Sequence, residues 1–308
     1  MIQQIPDGVY PTMLTPFTLD NRVDYPALEK LIQWYCERGV QGLFAICQSS
    51  EIFYLSLAER LEILDFVIKH TPKGVTVVAS GHTAEDLPTQ IDEANRLIEK
   101  GIDAYVFITN RFAAAEESDD VFLSRMEKAV SALPEIALGV YECPYPYKRL
   151  LNPYVLSRMA QMERFRFIKD TCCDLTQIES RLAAVQGSGI KIFNANCATV
   201  LDSMALGCAG FSGVMANFHP EIYVEMLRCR TTDPQRAQLM QKFAGFASMA
   251  ECQVYPVNAK YYLSLDGLPI TTGTRSRSDA ELTESRKAEI RQMYAFTKAF
   301  EQQIGLKL

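Results

Sequence analysis

The sequence has few histidines and no surplus of positive charge. Its 308 residues include three histidines, and 37 Asp and Glu outnumber 31 Lys and Arg to give a net charge of −6. His70, His82 and His219 lie far apart and outside any H-E-x-x-H pattern, so we expect no metal site. The acidic balance is not that of a nucleic-acid binder, and we expect no nucleic-acid partner.

Long apolar runs are also missing. No run approaches the roughly 20 residues that a membrane span requires, so we expect no membrane association. Residues 1–7 contain neither the basic region nor the apolar core of a signal peptide. The nine cysteines are odd in number and include no C-x-x-C pair. These features favour a reducing, cytoplasmic compartment.

Short apolar runs alternate with longer amphipathic stretches along the first 220 residues or so. Eight of the runs have the length and composition of strands, with helical patterns between them. The predicted strands are 9–14, 42–46, 75–79, 104–108, 136–141, 165–169, 190–193 and 211–215. The number and spacing of these units predict an α/β fold, a (β/α)8 TIM barrel. An open doubly wound sheet is the alternative, but residues 15–20 contain no glycine-rich phosphate loop.

The C-terminal part of the chain lacks a strand pattern. One helix is predicted to start at Asp233-Pro234, a second to cover 257–265 and a third 281–303. We therefore expect a barrel that carries the active site over residues 1–222 and a helical extension over residues 223–308.

In such a barrel the active site lies at the C-terminal ends of the strands. Lys169 ends the sixth predicted strand, and alternation places it on the same face as Phe165 and Phe167. If the two rings point into the barrel, Lys169 is desolvated, its pKa falls, and its neutral amine can form a Schiff base. The alternative is a lysine that reaches solvent or pairs with a neighbouring aspartate.

Two further groups of candidate residues lie at the same end of the barrel. Tyr141 ends the fifth strand, where its phenol could transfer protons, although a tyrosine packed at the rim is equally compatible. Gln48, Ser49 and Ser50 follow the second strand and could offer hydroxyls and backbone amides to a carboxylate. The alternative for these three residues is an ordinary turn.

Several segments together resemble the pyruvate-dependent class I aldolases, the superfamily of dihydrodipicolinate synthase and N-acetylneuraminate lyase. The resemblance extends over most of the chain and each segment falls on the expected strand. The segments are 10–17, 42–60, 141–144, 167–171 and 207–217.

This resemblance implies that Lys169 forms the Schiff base with a 2-keto acid such as pyruvate and that Tyr141 transfers protons. It implies that Gln48 and its neighbours bind the carboxylate, that Ser212 and Gly213 contribute to substrate binding, and that no metal or organic cofactor is needed. It also implies a homo-oligomer, a dimer or a tetramer.

The sequence departs from the family pattern at several places. The family's Gly-Thr-Thr-Gly-Glu loop is replaced by residues 47–51, and segment 108–112 lacks the tyrosine of the synthases. The carboxylate-binding arginine of the synthases has no clean match. Lys148 or Arg149 could substitute for it. A polar or anionic distal group on the substrate is suggested by Arg111, Tyr145, Tyr147 and Lys148.

The favoured function is a lyase or aldolase that releases pyruvate from a 2-keto-3-deoxy acid, or catalyses the reverse condensation. Dihydrodipicolinate synthase activity, with pyruvate and aspartate semialdehyde, is one alternative. A homologue that binds keto acids without catalysis is the other.

Overall fold

Eight short parallel strands alternate with helices in the computed structural model, which describes residues 2–306. The strands are β1 (Gly8–Val9), β2 (Gly42–Phe44), β3 (Thr76–Ala79), β4 (Ala104–Ile108), β5 (Ala137–Tyr141), β6 (Phe165–Asp170), β7 (Lys191–Asn194) and β8 (Gly210–Phe211). They pair in the order β1-β8-β7-β6-β5-β4-β3-β2. A parallel bridge between Thr12 and Phe44 connects the two edges. The predicted TIM barrel is confirmed.

Within residues 2–306, eight helices follow the strands and three more form the C-terminal extension. They are α1 (Tyr25–Glu37), α2 (Leu57–His70), α3 (Leu87–Ile98), α4 (Asp119–Ala132), α5 (Pro153–Gln161), α6 (Leu175–Ala184), α7 (Val200–Leu206), α8 (Pro220–Cys229), α9 (Pro234–Ala247), α10 (Val257–Leu265) and α11 (Glu284–Gln303). Local sequence signals start several of them: Ser56 and Glu59 form a capping box on α2, and Asn152 caps α5. No helix within residues 2–306 has the length and apolar character to cross a membrane.

The structure differs from the sequence-based expectation at both edges of the barrel. β1 and β8 are two residues long, and a 3₁₀ turn over Val214–Asn217 replaces the predicted end of β8. Helix α8 was not predicted, although Glu221, Glu225 and Arg228 recur along it at helical spacing. The expected domain boundary after residue 222 falls inside this helix.

The inward-facing residues of the barrel form an aromatic layer beneath the C-terminal ends of the strands. Phe167 lies at its centre, with ring centroids 4.6 Å from Phe193, 5.5 Å from Tyr10 and 6.0 Å from Phe44. All four side chains are buried. Since alternate residues of a strand share a face, Phe167 directs Lys169 to the same interior, one layer higher.

Candidate active site

A cavity of about 590 Å³ lies at the C-terminal ends of the barrel strands. Its walls come from the segments that follow β2, β5, β6 and β7 and from the C-terminal extension. Six of the residues that the sequence analysis selected line this cavity: Gln48, Ser49, Tyr141, Tyr145, Lys148 and Lys169. The barrel therefore gathers residues that lie up to 121 positions apart in the sequence.

Lys169 is buried at the inner end of the cavity. Only 3% of the residue is exposed, and its Nζ lies 4.2 Å from the centre of the Tyr141 ring. Within residues 2–306, no carboxylate lies within 4.0 Å of this nitrogen. Burial lowers the pKa of Lys169, because the charged form is poorly solvated there. The amine therefore has the environment that nucleophilic catalysis requires.

Tyr141 is adjacent to Lys169 in the neighbouring strand. Its hydroxyl donates a hydrogen bond of 3.2 Å to Oε1 of Gln48, and the Cys143 thiol donates to the same oxygen at 3.3 Å. Burial raises the pKa of Tyr141 well above its usual value, so the phenol keeps its proton. The hydroxyl is thus a fixed hydrogen-bond donor at the wall of the cavity.

A buried ion cluster holds the ends of β5 and β6 from outside the barrel. Arg181 of α6 lies 3.0 Å from a carboxylate oxygen of Glu142 and also binds Asp170. Glu142 further accepts hydrogen bonds from the backbone amides of Leu151 at 2.7 Å and Thr171 at 2.9 Å. Since Glu142 and Asp170 directly follow the tyrosine and the lysine, the cluster fixes the positions of both site residues.

The three polar residues of the turn after β2 differ in their contacts. Gln48 and Ser49 line the cavity, and the Ser49 hydroxyl donates to Oγ1 of Thr12 at 3.0 Å. The hydroxyl of Ser50 instead contacts the backbone carbonyls of Met13 at 2.7 Å and Ala45 at 2.9 Å. Ser50 therefore stabilises the turn, and its role in substrate binding stays a prediction.

Three other predicted binding residues lie outside the cavity wall. Arg111 donates to the carbonyls of residues 83–84 at 2.7 and 2.9 Å, and Ser212 donates to the carbonyl of Tyr10 at 2.9 Å. Both residues thus support loops. Gly213 packs so closely that an added Cβ would lie 2.3 Å from the Phe211 ring, so a larger side chain does not fit there.

The C-terminal extension contributes residues to the cavity that no sequence pattern indicates. Glu251, Tyr255 and Arg277 are the chemically relevant ones. The segment that carries Arg277 is held by Glu51, whose carboxylate accepts hydrogen bonds from the backbone amides of residues 275–276 at 2.6 and 2.7 Å. No local pattern indicates these contacts, since they join positions more than 220 residues apart.

A TIM barrel with a buried lysine and an adjacent tyrosine at the ends of its strands has the architecture of a class I aldolase. The comparison with known families agrees. Residues 5–294 match the model of the dihydrodipicolinate synthetase family, and the chain belongs to this family of class I aldolase-type enzymes.

Known relatives are similar over most of their length but at low identity. The chain is 26% identical to the 4-hydroxy-tetrahydrodipicolinate synthase of Clostridium perfringens over 209 residues, which are 68% of this chain and 70% of the relative. Among solved structures, YagE, a prophage protein of this family from E. coli K12 in complex with pyruvate, has a TM-score of 0.84 at 23% identity. That match covers 98% of this chain and 99% of YagE. The chloride-inhibited dihydrodipicolinate synthase of Acinetobacter baumannii, also complexed with pyruvate, has a TM-score of 0.83 at 22% identity. That match covers 99% of this chain and 100% of the synthase.

Proposed function

We propose that the chain is a Schiff-base-forming lyase or aldolase that releases pyruvate from a 2-keto-3-deoxy acid, or catalyses the reverse condensation. The observation that carries this proposal is the environment of Lys169. Its amine is buried, is not paired with a carboxylate in the part of the chain that the structure describes, and lies 4.2 Å from the ring of Tyr141. A lysine in this environment is neutral more readily than a lysine in water.

The chemistry follows from the neutral amine. Nζ of Lys169 attacks the C2 carbonyl of the keto acid to form a carbinolamine, which loses water to give the imine. The C4 hydroxyl then gives its proton to a base in the cavity and the C3–C4 bond breaks. The electron pair of that bond forms the C2=C3 double bond as the C2=N pair moves to the nitrogen, and C4 leaves as an aldehyde. Protonation of the resulting enamine at C3 and hydrolysis release pyruvate. Once the keto acid is bound, the Tyr141 hydroxyl exchanges its hydrogen bond to Oε1 of Gln48 for one to the carbinolamine oxygen.

The turn after β2 provides donors for the carboxylate of the substrate. The first amides of a helical turn have no acceptor within the turn, so the N–H groups of Gln48 and Ser49 are available to an anion. Both residues line the cavity beside Tyr141. A carboxylate bound there places the adjacent C2 carbonyl near Lys169.

The size and charge of the cavity favour a substrate longer than pyruvate. Its volume of about 590 Å³ is in the range of sites for larger organic ligands. Lys148 and Arg277 both line it, and the Lys148 amine donates to the carbonyl of Thr171 at 2.9 Å. Two cations in the wall suit a polar or anionic group at the distal end of the substrate. Similar folds that bind pyruvate, such as YagE, support a keto acid at the inner end.

Dihydrodipicolinate synthase activity is the second candidate, because the C. perfringens relative is named 4-hydroxy-tetrahydrodipicolinate synthase. The segment after β4 does not favour it. The synthases have a tyrosine there, whereas Asn110 of this chain donates to the carbonyls of Cys143 and Tyr145, each at 2.9 Å. Turnover of pyruvate with aspartate semialdehyde at a rate above that with 2-keto-3-deoxy acids would favour the synthase.

Borohydride trapping tests the proposed function. Incubation with pyruvate and borohydride should add one reduced pyruvyl group to Lys169, identified by peptide mass spectrometry. Lys169→Ala should abolish the adduct, whereas Lys128→Ala, a change at an exposed lysine on α4, should preserve it. No adduct, or an adduct on another lysine, would contradict the proposal. Thermal stabilisation by pyruvate without an adduct, retained in Lys169→Ala, would instead indicate a non-catalytic keto-acid-binding homologue.

A further inference from the structure

Two carboxylates line the cavity, and one of them is fully engaged. Oε1 of Glu51 lies 3.0 Å from the Lys260 amine, and Oε2 accepts the two backbone amides of residues 275–276. Both Glu51 and Lys260 are buried. Glu51 therefore serves to hold the C-terminal segment, and it is not free to exchange a proton during a reaction.

Glu251 is the second carboxylate, and its environment is different. It lies in the 3₁₀ turn Ser248–Cys252 between α9 and α10, which Asn258 holds by donating to the carbonyl of Ala250 at 2.7 Å. Among residues 2–306, no lysine or arginine nitrogen lies within 4.0 Å of its carboxylate. Its hydrogen-bond partner is the Cys197 thiol at 3.8 Å, a weak donor. Glu251 thus faces the cavity as a poorly compensated acid.

The surroundings of Glu251 suit proton transfer near neutral pH. Burial raises the pKa of its carboxyl group, and the charge of Lys169 opposes that rise. Both side chains line the same cavity. A general acid–base catalyst works best when its pKa lies near the working pH, and burial moves Glu251 in that direction.

Tyr141 cannot supply the same function on its own. Its hydroxyl donates to Oε1 of Gln48, and a side-chain amide does not titrate and cannot pass the proton to another group. Burial also raises the pKa of Tyr141 well above its usual value. The tyrosine can therefore orient and polarise an oxygen, whereas the removal of a proton from carbon requires a stronger base at neutral pH.

We propose that Glu251 is the catalytic acid–base group that transfers the C3 proton of the bound keto acid, an inference that rests on the proposed Schiff-base function. The Glu251 carboxylate takes a proton from C3 of the protonated imine. The C3–H electron pair forms the C2=C3 double bond, and the C2=N electron pair moves to the Lys169 nitrogen, which gives the enamine. In the cleavage direction Glu251 takes the proton of the C4 hydroxyl as the C3–C4 bond breaks and then gives that proton to C3 of the enamine, which regenerates the carboxylate.

The test uses pyruvate itself, so that the identity of the natural substrate is not needed. Exchange of the pyruvate methyl protons in D2O is followed by proton NMR with wild type, Glu251→Gln, Glu251→Asp and Glu179→Gln. Glu179 is an exposed carboxylate on α6 and provides the matched control. Borohydride trapping at Lys169 is measured on the same four proteins.

The expected result separates imine formation at Lys169 from proton transfer at C3. Glu251→Gln should form the Lys169 adduct to the wild-type extent but exchange the methyl protons at least about 100-fold more slowly. Glu251→Asp should recover part of that loss, and Glu179→Gln should behave as wild type. If Glu251→Gln exchanges the methyl protons at a rate within twofold of the control, the role of Glu251 is overturned but the Schiff-base function is not.

Two other results would also overturn the inference. Loss of the adduct in both Glu251 variants would show that the carboxylate is required before the C3 step. A wild type that neither forms the adduct nor exchanges the methyl protons would contradict the Schiff-base function, and the role of Glu251 with it.

Discussion

Tyr141 and Lys169 are partners in the pairing of β5 and β6, and the Lys169 nitrogen lies 4.2 Å from the centre of the Tyr141 ring. Backbone pairing sets both residues at one height of the barrel, and Arg181 secures the residue that follows each of them. The relative position of the amine and the ring therefore depends on the strands and on the buried ion cluster. It does not depend on the Tyr141 hydroxyl, which can be removed without disturbing that position.

Tyr141→Phe should therefore slow catalysis without loosening the fold. The ring keeps its contacts with Phe44 and Lys169, but the carbinolamine oxygen loses its donor. We expect the rate of adduct formation at Lys169 to fall about 100-fold or more. The measurement is the time course of borohydride-trapped adduct, with Tyr154→Phe, at an exposed tyrosine, as the control. An unchanged rate would show that the hydroxyl does not take part.

The rate of adduct formation should depend on pH through Lys169. Only the neutral amine attacks the keto acid, and burial lowers the pKa of Lys169. The initial rate of trapping should rise with pH and level off below the ordinary lysine pKa of about 10.4. A rate that continues to rise up to that value would mean that the barrel does not lower the pKa of the Lys169 amine.

The free energy of unfolding should also depend on the lowered pKa of Lys169. Since the folded-state pKa of Lys169 is below the unfolded one, the unfolded chain binds more protons between the two values, and this residue's contribution to the free energy of unfolding rises with pH there. The cost of burying the charge is complete below the folded pKa and disappears above the unfolded one. Lys169→Met should therefore be more stable than wild type at neutral pH, with the difference shrinking as pH approaches about 10.4. Denaturant titrations of both proteins at several pH values measure the difference, and an increase with pH would contradict the lowered pKa.

Substitutions of Gln48 and Ser50 should have different effects, one on pyruvate binding and the other on stability, although a single residue separates them in the sequence. Ser50→Ala removes a buried hydroxyl that bonds the carbonyls of Met13 and Ala45, so the free energy of unfolding should fall by about 1–3 kcal/mol. Gln48→Ala removes a group from the cavity wall and should raise the pyruvate concentration for half-maximal trapping about tenfold, or ~1.4 kcal/mol. Denaturant titration and trapping are measured on both variants. The reverse pattern would return Ser50 to the substrate site.

Local patterns were sufficient to predict the barrel and the position of its central residues. Alternation along β6 places Phe167 and Lys169 on the inner face, as the structure shows, because a strand has only two faces. The same patterns overestimated β1 and β8. They also did not reveal α8, although its charged residues Glu221, Glu225 and Arg228 lie at helical spacing.

The parts of the site that could not be predicted depend on long-range contacts. Arg111 resembles a binding residue in the sequence, but two backbone carbonyls, visible only in the folded loop, engage its guanidinium. Glu251 and Arg277 enter the cavity because the C-terminal extension folds back over the barrel. The contact between Glu51 and Lys260, 209 residues apart, has no local signature in either segment.

Glu51 and Lys260 should prove energetically coupled. Their charged groups lie 3.0 Å apart and are almost completely buried, and burial lowers the pKa of Lys260 to about 8 although Glu51 opposes that change. Glu51→Gln or Lys260→Met leaves one buried charge without a partner, so each should lower the free energy of unfolding by about 3–5 kcal/mol. The double variant buries neither charge and should lose clearly less than the sum of the two. Urea denaturation of the four proteins at pH 7 gives the complete cycle, and additive losses would show that the two residues act independently.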